Sequence, residues 1–213
     1  NDKGEFVSYH DTLNSAEGIR ACGAMYKLLK EDTVHVSGSG CAEAFGSGAA
    51  VCVSGTWDSA DAKKALGERF AVAELPYVTD GQGEAVHLGS FSGCKLMGVK
   101  PQEDPEKLGI CQKLAEYLSG EECQLKRFKD FGWGPSNKAA QATDEVKADE
   151  VLQALNAQNK YATVQGNYPG DWWTGAKAIA SGIKTLTEFT TKGAQTVLRT
   201  YNAAIDGYLT ANS

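Results

Sequence analysis

Apolar side chains recur three and four residues apart in several stretches of the chain, which is the pattern of amphipathic helices. Residues 15–30 show it clearly, with Cys22 and Met25 on the apolar face, and either Asn14 or Ser15 can cap the start. The same reasoning predicts two helices that begin at Asp104-Pro105 and after the capping box at Ser119, and further helices over residues 41–46, 58–66, 144–160, 171–183 and 188–209.

Short apolar runs bounded by glycine or proline predict buried strands between these helices. One run covers residues 50–53, and another covers residues 70–75, where Pro76 ends the strand. Residues 86–99 are also strand-like, with breaks at two glycines. Because helices and short buried strands alternate along the chain, the expected fold class is α/β.

Composition narrows the classes of function. The chain has 213 residues, a net charge of −6, and 42% hydrophobic and 23% charged residues. This length allows one large domain or two small ones. The acidic balance argues against nucleic acid as a partner, because a nucleic-acid-binding surface needs an excess of basic residues. No apolar run is long enough to predict a transmembrane helix.

Six cysteines are spread along the chain without any Cys-x-x-Cys pair, which argues against a zinc ribbon or thioredoxin-type chemistry. An even number permits three disulfides, in any of fifteen pairings. Cys52 lies in a predicted strand and Cys111 lies on an apolar helix face, and both have the character of small core residues. We therefore expect mostly free thiols.

No catalytic or metal-binding constellation stands out. The three histidines, His10, His35 and His87, are scattered and do not pair with cysteine or carboxylate at metal-ligand spacing. Residues 89–93 superficially resemble the turn that carries a nucleophilic serine, but the central residue is Phe91. We predict no catalytic residue, no metal site and no cofactor.

Tryptophans beside glycine-rich turns are the strongest sign of a ligand site. Trp57 stands where the predicted strand 50–53 leads into a helix. Trp172 and Trp173 open a later helix, where adjacent side chains diverge by about 100 degrees, so that one can face a cleft while the other packs inside. A tryptophan can stack on the C–H face of a sugar, although core packing is the common alternative for any one of them. Trp133 fits core packing best.

Five segments, taken in order, resemble the extracellular solute-binding proteins of ABC transporters, specifically the maltose-binding-protein-like sugar binders. In residues 42–57 a helix, a turn of small residues, a strand and Gly-x-Trp follow one another. The other four are a helix opening at 13–18, a strand ending in Leu-Pro at 70–76, a glycine-rich strand at 88–93 and a helix pair around 114–122.

The resemblance implies a periplasmic-binding-protein-like, type II two-lobe fold. Because family members are much longer, it also implies that this chain holds the C-terminal portion only. Residues 1–75 and 138–213 would belong to the C-terminal lobe, and residues 76–137 to the N-terminal lobe. The missing N-terminal half or a second copy of the chain would then be a partner, since core surface left exposed favours association.

The resemblance also implies a set of ligand-binding residues. Trp57 matches the stacking aromatic after the strand, and Trp173, with Trp172 as its neighbour, matches the aromatic residue of the closing helix. Lys177 matches a basic position that is arginine in the maltose binder, so the forked donor geometry is lost. Tyr168 and Asp171 lie beside them, and Asp171 can equally cap a helix. Weaker candidates are Glu74 and Ser90.

The function implied is the non-catalytic capture of an oligosaccharide, maltodextrin-like or related, for delivery to the membrane subunits of an ABC transporter. The protein would be extracytoplasmic, either periplasmic or a lipoprotein anchored at the cell surface. Three alternatives stay open. The chain could bind a non-sugar solute such as a peptide or polyamine, since its acidic balance suits a cationic ligand. It could be an enzyme of an unrelated class, or a fragment that binds nothing by itself.

Overall fold

The computed structural model describes residues 13–36, 40–80, 82–165 and 172–211, with only the backbone at 172, 174, 177 and 204–211. In these ranges the helices are α1 Ala16–Lys30, α2 Cys41–Gly46, α3 Ser59–Leu66, α4 Pro105–Ser119, α5 Glu121–Phe131, α6 Lys138–Ala142, α7 Asp144–Ala148, α8 Glu150–Gln158, α9 Trp172–Thr185 and α10 Thr191–Ala211. The strands are β1 Tyr77–Thr79, β2 Ala85–His87, β3 Ser90–Ser92 and β4 Ala162–Val164.

The chain divides into two compact units, and it passes from one to the other several times. The first unit contains α1, the β1–β2 hairpin, α9 and α10. The second unit contains the remaining helices with β3 and β4. The boundaries in the described ranges fall after Val36, Leu75, Leu88 and Gln165. The assignment of 1–75, 76–137 and 138–213 to lobes concerns a complete two-lobe protein and stays a prediction.

The first unit is held together by three helices. A buried cluster at its centre brings together Cys22 from α1, Ile183 from α9, and Ala194 and Leu198 from α10. Burial of this kind raises the pKa of the Cys22 thiol and keeps it in its neutral form. The amphipathic pattern that predicted the first helix therefore reflects real packing against α9 and α10.

The β1–β2 hairpin is tied to α1 through Asp80, a buried residue at its turn. The Asp80 carboxylate forms an ion pair with Arg20 and accepts hydrogen bonds from the backbone N–H groups of Gln82 and Glu84. Lys27 donates to the Asp80 carbonyl at 3.2 Å. The hydrogen bond from Arg20 is the main reason that the pKa of Asp80 falls to about 2.

The second unit has its own core, formed by Phe128, Val146 and Leu152. Beside it, the buried side chain of Gln124 organises the loop that follows α5. Its Oε1 accepts from the N–H groups of Ser136 at 2.7 Å and Asn137 at 2.9 Å. Strand β3 pairs with β4 in parallel, with Ser90 opposite Ala162. In the loop after α5, the Gln124 side-chain amide therefore supplies the hydrogen-bond acceptor that regular secondary structure would otherwise provide.

The predicted helix starts are largely confirmed, and two details are wrong. Ser15 caps α1 and Asp104 caps α4, both through side-chain oxygens. The helix expected over 144–160 is interrupted at Asp149, whose backbone is extended and whose carboxylate caps α8 instead. The expected capping box at Ser119 is absent, because Gly120 precedes α5 and the Ser119 hydroxyl donates back to carbonyls of α4.

The strand predictions fail in two places. Residues 50–53 and 70–75 are irregular, and neither run has a neighbouring strand within the described ranges with which to pair. Residues 86–99 contain only the last two residues of β2 and the whole of β3. An apolar run is therefore not enough to predict a strand, because a strand also needs a neighbouring strand with which to pair.

The cysteines are mostly free, as expected, with one important exception. A disulfide joins Cys41 at the start of α2 to Cys52, with 5.7 Å between their Cα atoms. The prediction of Cys52 as a free core residue is therefore wrong. The free thiols in the described ranges are at Cys22, Cys94, Cys111 and Cys123, and Cys111 is only half-buried.

Candidate ligand-binding site

Trp57 lies in a short 3-10 turn, Thr56–Asp58, that leads directly into α3. Its side chain is 78% exposed, which is unusual for the largest apolar residue type. The ring folds back over Gly55, so closely that a Cβ at Gly55 would lie 2.2 Å from ring atom Cζ3. One part of the indole therefore rests on bare backbone while most of the ring stays open to solvent.

Polar contacts fix the later part of the segment from Cys52 to Asp58, which we call the Trp57 loop. The Asp58 N–H donates to the Gly55 carbonyl at 3.1 Å, and the Asp58 carboxylate accepts from the Ser54 hydroxyl. On its other side this carboxylate lies against Gly40, where a Cβ would be 3.3 Å from Oδ1. The Trp57 ring is thus presented on a loop whose base is anchored beside α2 and α3.

Two further apolar residues next to the tryptophan are exposed. Val51 is 81% exposed and Val53 is 66% exposed. Both flank Cys52, in the run that was expected to be a buried strand. Together with Trp57 they form an exposed apolar stretch, and such stretches in proteins often mark binding surfaces.

The remaining predicted ligand residues belong to α9 or precede it. Trp173 is the second residue of α9 and is 39% exposed. Positions 172 and 177 lie within the same helix, but the side chains of Trp172 and Lys177 lie outside the described part of the structure. Tyr168 and Asp171 fall entirely outside the described residues. Trp57 belongs to the second unit and α9 to the first.

The two weaker candidates have different surroundings. Ser90 lies in β3, half-buried, and its hydroxyl accepts a hydrogen bond from the Gln158 side chain at 3.3 Å. Glu74 is exposed in the irregular segment before Pro76. The Ser90 hydroxyl therefore already takes part in the internal bonding of the second unit.

Trp133 corrects a prediction, because it is not a core residue. It is 52% exposed, its ring centroid lies 5.6 Å from that of Phe131, and the Lys95 ammonium sits 5.2 Å from its centroid. Sequence reasoning missed this second exposed aromatic surface. The signal available was Gly132, whose left-handed backbone (φ 69) ends α5 and turns the chain outward.

A surface groove of about 650 Å³ lies elsewhere in the second unit, between α3, α5 and α7–α8. Four of its five charged side chains form two ion pairs, Lys63 with Glu150 at 3.0 Å and Lys129 with Glu145 at 3.2 Å, and the fifth, Asp149, caps α8. None of the predicted ligand residues lines it. Because these charged groups already have partners within the protein, this groove offers little to a polar ligand.

Two features are absent from the described residues. Among them, no group of three or more His, Cys, Asp or Glu side chains is placed to hold a metal ion. Over the same residues, no helix combines the length and the hydropathy needed for crossing a membrane.

Three solved structures share the fold of this chain. The maltodextrin binding protein MalE1 from L. casei BL23, without ligand, has a TM-score of 0.75 at 25% identity, over 91% of this chain and 52% of that chain. A structure described as "with acarbose" has a TM-score of 0.76 at 26% identity, over 92% and 53%. The maltose-maltodextrin binding protein of Alicyclobacillus acidocaldarius, at 17% identity, has a TM-score of 0.59 over 93% and 56% and supports the fold alone.

Sequence comparison points in the same direction. The maltodextrin-binding protein MdxE of Bacillus subtilis (strain 168) is 28% identical over 142 residues, which are 64% of this chain and 32% of that protein. The chain thus spans about a third of this curated relative and about half of the solved structures. The similarities confirm the α/β, type II periplasmic-binding-protein-like fold. A family model described as bacterial extracellular solute-binding protein matches residues 3–154, most of the chain, and the chain belongs to that family.

Proposed function

We propose that this chain captures a maltodextrin-like oligosaccharide outside the cytoplasm and passes it to the membrane subunits of an ABC transporter. Members of its family bind solutes without catalysing a reaction, in agreement with the predicted absence of enzymatic activity. The matched relatives that are named for maltodextrin or maltose binding support the choice of ligand. The chain would be either free in a periplasm or anchored at the cell surface by a lipid.

The observation that carries the proposal is the exposed indole of Trp57 on its anchored loop. Sugars present flat patches of C–H groups between their hydroxyls, and an open aromatic face binds these patches while excluding water. Because the ring already rests on Gly55, little side-chain freedom is lost when a sugar stacks on it. We expect Trp57 to contribute about 2 kcal/mol to sugar binding, the size of an interface hot spot.

The other contacts are proposed from the family pattern. Trp173 or Trp172 would provide a second stacking surface, with Tyr168 and Asp171 as hydroxyl-binding neighbours. Lys177 would donate to a sugar hydroxyl from a single ammonium rather than from an arginine fork.

The assembled protein is also part of the proposal. Residues 1–75 and 138–213 would form part of the C-terminal lobe, and residues 76–137 part of the N-terminal lobe. The polar contacts that a complete site requires would be completed by the missing N-terminal half or by a second copy of the chain. A sugar closed between two lobes would then signal to the transporter, as in hinge-closing binding proteins.

Calorimetric titration tests the proposal directly. Maltotriose and longer maltodextrins are titrated into the chain, next to xylo- and manno-oligosaccharides of the same length. Trp57→Ala should weaken maltodextrin binding about thirtyfold, which corresponds to about 2 kcal/mol. Trp133→Ala is the matched control, because Trp133 is also exposed in the second unit and should leave the affinity unchanged.

The same titration separates the alternatives. Binding of spermidine or a short cationic peptide without sugar binding would favour a solute that suits the net charge of −6. If neither class binds, the chain has no independent binding and the capture proposal fails for it. Equal effects of Trp57→Ala and Trp133→Ala would reject the site while leaving the ligand class standing.

A further inference from the structure

The segment before Trp57 has few noncovalent ties. Within the part of the chain that the structure describes, the backbone of residues 50–54 forms no hydrogen bond to the backbone of another described residue. Val51 and Val53 point their apolar surface to solvent, so burial does not hold this segment either. A stretch with neither backbone pairing nor apolar packing is expected to be mobile unless something else restrains it.

The disulfide supplies that restraint. Cys41 is 5% exposed and begins α2, which packs against α3. Its bond to Cys52 therefore fixes the start of the Trp57 loop to the buried first residue of a helix that contacts α3. The end of the loop is fixed independently, because Asp58 directly precedes α3 and its carboxylate lies against Gly40. The loop is consequently held at both ends against the same α2–α3 base.

We propose that the Cys41–Cys52 disulfide is a positioning element for sugar binding, which holds the Trp57 loop so that the indole is presented ready for stacking. This inference rests on the proposed role of Trp57. With the bond reduced, residues 50–55 sample more conformations. Sugar binding must then order these residues, and the entropy lost in doing so lowers the affinity. The oxidised chain therefore binds the sugar more tightly than the reduced chain. An extracytoplasmic protein meets the oxidising conditions in which such a bond persists.

The test compares the double variant Cys41→Ser/Cys52→Ser with the wild-type chain, and uses Cys94→Ser as the matched control. Cys94 is a free and exposed thiol, so its replacement should change nothing. Removing the disulfide should raise the Kd for maltotriose about fivefold, since one or two side chains must then be ordered on binding. Adding dithiothreitol to the folded wild-type chain should reproduce the effect, as Cys41 and Cys52 each take up a hydrogen and the reagent becomes a cyclic disulfide. Reoxidation should reverse it.

A second measurement needs no sugar. With Trp133, Trp172 and Trp173 replaced by phenylalanine, Trp57 is the remaining tryptophan, and its time-resolved fluorescence anisotropy reports the motion of the loop. Loss of the disulfide should give the indole a faster and larger-amplitude motion, while circular dichroism shows that the helices persist. If the wild-type chain binds no sugar, the proposed function fails and the anisotropy alone decides this inference. Unchanged anisotropy, or an unchanged Kd where sugar does bind, would overturn it.

Discussion

The close approach of α9 and α10 gives a quantitative test of the first unit. A Cβ added at Gly182 would lie 2.8 Å from Cγ1 of Val197 and 3.2 Å from its Cγ2, inside normal van der Waals contact. The adjacent residues Ile183 and Leu198 are fully buried, so the two helices have little room to separate. Overpacking of this kind costs about 1–3 kcal/mol. Alanine in a helix interior recovers about 1 kcal/mol relative to glycine, so we expect Gly182→Ala to destabilise by up to about 2 kcal/mol.

A double-mutant cycle with urea denaturation separates these two effects. In a Val197→Ala background the clash is gone, and Gly182→Ala should then stabilise the chain by about 1 kcal/mol through helix propensity alone. Gly109→Ala is a second reference, because Gly109 lies in α4 with no atom within 4 Å of its added Cβ. If Gly182→Ala stabilises the wild-type chain as much as Gly109→Ala does, and shows no coupling to Val197, the described packing of α9 on α10 is wrong.

Two further predictions concern the hairpin and the tryptophan. Because the folded pKa of Asp80 is about 2, below the usual value of about 4, its stabilising effect is present above about pH 4 and is lost as the pH falls towards 2. Arg20→Met should therefore lower the unfolding midpoint at about pH 6 by more than it does at about pH 2, and a pH-independent loss would contradict the ion pair. Gly55→Ala should push the indole off its backbone support and change Trp57 fluorescence. It should also weaken sugar binding about fivefold, which corresponds to the energy of one stacking contact. Gly46→Ala, where the added Cβ meets no atom within 4 Å, should have neither effect.

The helices were predictable where a long apolar stripe meets a partner. The pattern over residues 15–30 is realised almost residue for residue as Ala16–Lys30, because its apolar face packs on α9 and α10. Where polar residues offer the backbone another partner, the same reasoning fails. The helix expected over 144–160 stops at Asp149, since its side chain bonds to the N–H of Leu152 and starts a new helix.

Features that depend on which residues the fold brings together could not be predicted from the sequence. The bond between Cys41 and Cys52 is one of the fifteen different pairs that six cysteines can form, and only the fold shows which pair is within reach. The run 50–53 is apolar enough for a strand, yet strand formation needs a neighbouring strand, and the chain uses Cys52 for a covalent link instead. Local composition cannot decide between these outcomes.

The two exposed tryptophans of the second unit show what distinguishes a candidate binding residue from an exposed aromatic. Both follow a glycine closely in sequence, and both expose more than half of their surface. Trp133 has Phe131 beside it and the Lys95 ammonium over its ring, so a ligand would have to displace a cation that already occupies an aromatic face. Trp57 instead rests on the bare backbone of Gly55, on a loop held by a disulfide. Exposure alone would rank the two residues together, whereas support from below and an open upper face favour Trp57 as the stacking surface.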